Sequence, residues 1–197
     1  MKASDKWILQ SNGMDHSYIR NSVVFGMAKA MGMRAVPETT YVELYFNGNY
    51  NGLYQIESKA AVEKNRLDLT ELDMENNQVN SAMLEMYDLE TVSGNDGSER
   101  VGLKFTSPDD ISGGYLLERD YGEKYGSAVS KFTTVSGESY VVKYPEYASI
   151  DEVNYIADKF QEIEDAVKDK NSNLSELIDI RSFADKYLLE EFSRNDA

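Results

Sequence analysis

The sequence predicts an α+β fold, an antiparallel-rich sheet with hairpins that is flanked by helices. Two pairs of strand-like runs are each joined by a short polar turn, one amphipathic segment precedes them, and a longer helical section follows them. Hairpins join antiparallel strands, and helices that are set apart from the strands are typical of the α+β class. We expect one domain over residues 1–197.

The first helix is predicted over Asp15 to Met31. Apolar residues recur there at three- and four-residue spacing, at Ile19, Val23, Met27, Ala30 and Met31. Asp15 stands where an N-cap belongs, and Gly32 follows the last apolar residue as a helix-ending glycine does. A strand is expected before this helix, around Trp7.

The clearest hairpin signal joins Tyr41–Phe46 to Leu53–Glu57 through the segment Asn47–Gly52. Aromatic and branched residues favour strands, and Asn and Gly favour the positive φ angles of a tight turn. The same segment is also similar to the glycine-rich loops that bring backbone N–H groups over the phosphates of a nucleotide. Both interpretations stay open at the level of the sequence.

The middle of the chain is predicted to hold a short helix and loop, and then three strands. The helix and loop are expected within Ala60–Asn80, where the apolar residues show no clean period. The strands are expected at Ala82–Leu89, Val101–Phe105 and Gly114–Arg119, around a polar loop at residues 93–99.

A second hairpin and a helical section complete the prediction. Lys131–Thr133 and Ser139–Lys143 are joined by a turn that contains Gly137. Ser149 and Glu152 have the spacing of a capping box, and the apolar stripe that follows them predicts a helix to about Lys170. A last helix is expected to open at Asp179.

Charge and composition exclude several classes of function. The chain has 35 acidic and 20 basic residues, a net charge of −15. Residues 1–70 carry 8 of the basic and 7 of the acidic residues, so the whole acidic excess lies in residues 71–197. Such a surface repels phosphate backbones and anionic lipids, which argues against nucleic-acid binding and membrane docking.

Without Cys and with one His, the chain offers no sulfur-based zinc site and no cluster of His ligands. It also has no apolar stretch that suits membrane insertion and no segment typical of a signal peptide.

Five motif-like blocks follow one another along nearly the whole chain. The central block, residues 41–57, reads Y-V-E-L-Y-F-N-G-N-Y-N-G-L-Y-Q-I-E. The others are Asp15 with Ile19-Arg20-Asn21, Gly113 to Asp120, Val141 to Glu146, and Asp179 to Phe192. In this order they resemble the signature of the CotH family of spore-coat protein kinases, and Trp7 stands where that family has a strand tryptophan.

The resemblance implies a fold distantly like that of protein kinases and an enzyme that uses ATP and Mg²⁺. Its expected reaction is phosphorylation of Ser on coat or other extracellular proteins, so the expected partner is a Ser-containing protein substrate. The expected location is secreted, at the bacterial cell surface or in the spore coat. Members of this family also occur in multi-module proteins of the cellulosome type, so other modules of the same polypeptide are expected partners.

The resemblance also suggests site residues. Asp196 is the candidate acid near the attacking hydroxyl, Lys143 the candidate phosphate contact, and Glu57 the candidate ion-pair or metal partner. Gly48, Gly52 and Arg20 lie in the nearly neutral first part of the chain, where an anionic nucleotide is least repelled.

Two further expectations concern the extent and role of the chain. The family continues after its last helix with a W-D-x-D metal-binding segment, so we expect residues 1–197 to be the N-terminal and central portion of a longer domain. The alternative to a kinase is a non-catalytic extracellular module that anchors or supports other modules. A third option is a carbohydrate-contacting domain, for which 14 Tyr and 7 Phe supply stacking faces.

Overall fold

The structure is a computed structural model that describes residues 6–63, 66–169 and 174–195. The chain forms two compact units: residues 1–61, 65–67 and 179–197 make the first, and residues 62–64 and 68–178 the second. Each unit combines helices with an antiparallel sheet, so the predicted α+β class is confirmed. In chain order the elements are β1 (Trp7–Gln10), α1 (Arg20–Ala30), β2 (Thr39–Phe46), β3 (Asn49–Ser58), α2 (Leu72–Val79), β4 (Leu89–Ser93), β5 (Glu99–Leu103), β6 (Leu116–Arg119), α3 (Glu123–Ser127), β7 (Lys131–Thr133), β8 (Ser139–Tyr144), α4 (Ile150–Lys168), α5 (Leu174–Leu177) and α6 (Ile180–Ser193).

The first unit contains a three-stranded sheet in the order β1-β3-β2, with α1 and α6 beside each other. Helix α1 begins at Arg20, so the prediction that it begins at Asp15 is wrong. Tyr18 has a φ of +60°, which interrupts a helical path. The Asp15 carboxylate instead accepts hydrogen bonds from the backbone N–H groups of Ser17 and Arg20, and so caps the helix from the preceding turn. Gly32 ends the helix as predicted, at φ +77°.

The first hairpin turns more tightly than the sequence indicates. Its turn consists of Asn47 and Gly48, which both have positive φ, and β3 resumes directly at Asn49. Positive φ at both central residues matches the right-handed twist of the flanking strands. Leu44 pairs with Gly52 and Tyr45 with Tyr50, so one extra residue forms a bulge in β3.

The second unit contains a five-stranded sheet in the order β4-β5-β7-β8-β6, antiparallel throughout. The second hairpin and β6 lie where they are predicted. The strand predicted at Ala82–Leu89 is wrong, because this segment holds a single 3-10 turn at Leu84–Met86 and β4 begins at Leu89. Leu84 anchors that turn in a buried cluster with Leu103 and Phe105.

Helix α4 covers the second sheet and carries the predicted capping box. The Ser149 side chain accepts from the Glu152 N–H, and the Glu152 carboxylate accepts from the Ser149 N–H at 2.7 Å. The apolar stripe of α4 packs on the sheet in the main core, whose buried members are Phe132, Val142, Ala148, Val153 and Ala157. Within the described ranges, no helix has both the length and the apolar character needed to cross a membrane.

Candidate functional site

Lys143 lies in β8 of the second unit, at a bulge. Leu116 pairs with Tyr144 and Leu117 with Val142, so Lys143 is the extra residue on its strand. Its Nζ atom lies 3.3 Å from Oε2 of Glu118 on the neighbouring strand β6. The Lys124 ammonium, at the start of α3, donates to Oε1 of the same carboxylate at 2.7 Å. One carboxylate therefore holds two ammonium groups.

The charge of Glu118 is well stabilised in this arrangement. The hydrogen bond from Lys124 is the main cause that lowers the pKa of the Glu118 carboxyl. Desolvation by burial opposes it, and the contact with Lys143 lowers the pKa further. The Lys143 side chain is 43% exposed. An ammonium has three N–H donors, so a lysine that Glu118 positions has donors left for an anion that approaches from solvent.

Glu57 lies near the end of β3 in the first unit and contacts the start of α1. Asn21 Nδ2 donates to Glu57 Oε1 at 3.4 Å and to Asn12 Oδ1 at 3.3 Å. Partial burial raises the pKa of the Glu57 carboxyl, and the hydrogen bond from Asn21 opposes that shift. The block that contains Asn21 and the central block thus meet at a carboxylate.

A buried polar network continues from this contact. Asn12 donates to Gln55 at 2.7 Å, and Gln55, which is fully buried, donates to the Ser22 hydroxyl at 3.1 Å. The Ser22 and Tyr41 hydroxyls are 2.8 Å apart. The start of α1 is therefore tied to β2 and β3 by hydrogen bonds, which fix the side chains around Glu57.

The remaining candidates of the first unit lie at exposed positions. Arg20 is the first residue of α1, with 81% of its side chain exposed and its Nε 3.6 Å from the Asp15 carboxylate. Gly48 and Gly52 have φ angles of +80° and +107°, and a Cβ built on either meets no atom within 4 Å. The positive φ angles therefore explain why glycine occupies these two positions, since no neighbouring atom would exclude a side chain.

The candidates do not all fall in one unit. Arg20, Gly48, Gly52 and Glu57 belong to the first unit and Lys143 to the second, while Asp196 lies outside the described residues. Among the residues that the structure describes, no group of three or more His, Asp or Glu side chains is placed to hold a metal ion.

The motif-like blocks predict Lys143 and Glu57 as candidates but not their partners. Glu118 contacts Lys143, and Asn21 contacts Glu57. Each partner lies inside a motif-like block other than that of its candidate, so membership of a block was the available signal. Their contacts depend on strand register and on the entry of the chain into α1, neither of which spacing alone specifies.

Comparison with known proteins bears on the whole chain. No curated protein and no solved structure matches it. A family model described as CotH kinase protein matches residues 1–196. A match of that extent shows that the chain belongs to the CotH family.

Proposed function

We propose that this protein is an atypical protein kinase that transfers the γ-phosphoryl group of ATP to Ser residues of a protein substrate, with Mg²⁺ as cofactor. The observation that supports it best is the contact between Lys143 and Glu118, which joins two motif-like blocks of a CotH family member. Substrates on the cell surface, in the spore coat or in neighbouring modules of the same polypeptide are part of this proposal.

Phosphoryl transfer requires positioning and neutralisation of phosphate charge more than covalent chemistry by the protein. Lys143 is suited to that role, because Glu118 holds its ammonium in place while the side chain stays accessible. A lysine paired with a glutamate is also part of the phosphate-binding machinery of protein kinases, where the glutamate lies on a helix rather than on a strand. Arg20 is a second exposed cation, in the other unit.

The remaining roles follow from the type of each residue. When bound, Mg²⁺ would neutralise charge on the phosphates. Glu57, whose pKa is raised by burial, is better suited to accept hydrogen bonds from Asn21 than to bind a metal ion on its own. Asp196 stays the proposed acid near the attacking hydroxyl. Gly48 and Gly52 stay proposed backbone contacts to nucleotide.

The test is nucleotide binding and phosphate transfer by the full-length product of the gene. We expect ATP with Mg²⁺ to raise the melting temperature and radiolabelled γ-phosphate to appear on Ser. Lys143→Met should strongly weaken both effects. A full-length protein that shows neither effect with ATP, with or without Mg²⁺, would overturn the kinase proposal.

A non-catalytic anchoring module is the second candidate, favoured by one specific observation. Helix α6 exposes five large apolar side chains, each at least 49% accessible: Ile180, Phe183, Tyr187, Leu188 and Phe192. Contiguous exposed apolar surface is typical of protein interaction sites. If the full-length protein binds no ATP, a Phe183→Ser and Phe192→Ser double variant that loses binding to neighbouring modules would support this role.

A further inference from the structure

A cleft of about 310 Å³ in the first unit carries an unusual set of charges. Three cationic side chains line it, Lys29, Lys59 and Arg66, with Glu38 as the acidic one. Much of the remaining lining is apolar, including Met33 and Leu67. None of these residues is a candidate for phosphate transfer in the proposed kinase reaction. A cationic cleft is notable in a chain whose net charge is −15.

Arg66 is the buried member of this set. Its side chain is 5% exposed, and Nη1 lies 4.0 Å from the Glu38 carboxylate. Its guanidinium lies over the Trp7 ring, 4.6 Å from the ring centroid. Among the described residues, neither Nε nor Nη2 of Arg66 has a hydrogen-bond acceptor. Buried N–H donors without acceptors carry a desolvation penalty, so an acceptor that reaches them gains affinity.

The geometry of a guanidinium indicates which acceptor fits. Nε and Nη2 lie on one edge of the planar group, and their two N–H bonds match the two oxygens of a carboxylate or phosphate. Trp7 covers one face of the guanidinium, and Arg66 lines the cleft, so changes in the side-chain torsions of Arg66 would present this edge to an anion in the cleft. Lys29 and Lys59 are exposed, so they add positive potential at the rim.

We propose that this cleft binds a small oxyanion, a carboxylate or phosphate carried on a short apolar body. The oxyanion takes the Nε and Nη2 edge of Arg66, and the apolar body packs against side chains such as Met33 and Leu67. A volume of about 310 Å³ suits a small organic acid or alkyl phosphate. This site is independent of the proposed kinase reaction, because it shares no residue with it.

Trp7 provides the assay, because it is the only Trp of the chain and contacts Arg66. We expect butyrate and butyl phosphate, added to the protein without nucleotide, to change the Trp7 fluorescence in a saturable way. The stronger of the two identifies the preferred oxyanion. Inorganic phosphate, which lacks the apolar body, should bind several-fold more weakly than butyl phosphate. No saturable change with either organic probe would overturn the proposal.

Variants distinguish two-pronged hydrogen bonding by the Arg66 guanidinium from simple attraction between charges. Arg66→Lys keeps the charge and removes the two-pronged edge, so it should weaken binding about tenfold or more. Arg34→Lys is the matched control, since Arg34 is exposed and does not line the cleft. A double variant tests the positive charge at the rim of the cleft without disturbing buried Arg66. It combines Lys29→Gln and Lys59→Gln, which are both at exposed positions. Equal affinity of the wild type, Arg66→Lys and the double rim variant would overturn the proposal.

Discussion

Lys143 and Glu118 contact each other across β8 and β6, with Nζ and Oε2 3.3 Å apart. The bulge at Lys143 sets this contact, because it places one extra residue opposite β6. Lys124 contacts the other oxygen of the same carboxylate. The lysine is thus held by a fixed acid and still reaches solvent, which is the property that a phosphate contact requires.

Replacing Lys143 tests its role in the proposed reaction. Lys143→Met should lower kcat/KM for ATP about a hundredfold, because a charge-stabilising contact to the phosphates is lost. Lys159→Met is the matched control, since Lys159 is also half exposed and pairs with Glu162 at 2.9 Å. Equal kcat/KM values for the two variants would remove Lys143 from the site.

Glu118 is expected to act through Lys143, as a positioning residue. Glu118→Gln keeps the shape of the side chain and removes its charge, so both lysines lose their ionic partner. We expect a rise in KM for ATP of about tenfold with a smaller change in kcat, as measured by steady-state kinetics. A change in melting temperature with unchanged kinetics would show that Glu118 is only structural.

The pH dependence of stability tests the cap on α1. The hydrogen bond from the Ser17 hydroxyl, followed by the one from the Arg20 N–H, lowers the pKa of Asp15 from 3.8 to about 2. A carboxyl group whose pKa is lowered by folding stabilises the folded state at pH values above its ordinary pKa. That stabilisation is lost as the pH falls through the pKa of the folded state. Asp15→Asn should therefore unfold at lower urea concentration at neutral pH, and the difference should shrink between about pH 4 and pH 2. The same difference at every pH would contradict this explanation.

The turn of the first hairpin makes a prediction about stability. Gly48→Ala places a Cβ at a φ of +80°, so it should lower the free energy of unfolding by about 1 to 2 kcal/mol. Gly26→Ala is the control, because Gly26 lies inside α1 in open space and should gain roughly 0.5 to 1 kcal/mol. Urea unfolding of both variants measures the contrast. Equal effects of the two changes would mean that the positive φ at Gly48 carries no cost.

The second unit depends on a close approach at Gly102. A Cβ there would lie 2.7 Å from Cα and 2.8 Å from N of Ile150, at the start of α4. Backbone atoms cannot move aside cheaply, so Gly102→Ala should cost more than about 2 kcal/mol in urea unfolding. Gly126→Ala, where a Cβ meets nothing within 4 Å, should change stability little. A well-tolerated Gly102→Ala would show that α4 lies farther from β5.

Local signals predicted the elements whose causes are local. The capping box of Ser149 and Glu152, the glycine that ends α1, and the second hairpin follow from side-chain chemistry within a few residues. The start of α1 and the strand expected at Ala82–Leu89 were wrong for the opposite reason. The burial of Leu84 results from packing against Leu103 and Phe105, and the positive φ of Tyr18 leaves no trace in the spacing of apolar residues.

Residue type and spacing are enough to predict the α+β class, the order of the blocks and the likeness to CotH proteins. Which residues become partners depends on the tertiary structure. Glu118 holds Lys143 because of a strand bulge, and Asn21 reaches Glu57 because of the way the chain enters α1. Arg66, which follows the first hairpin in the sequence, stacks on Trp7, which precedes it. Side chains distant in sequence come together through register and packing, which no local pattern records.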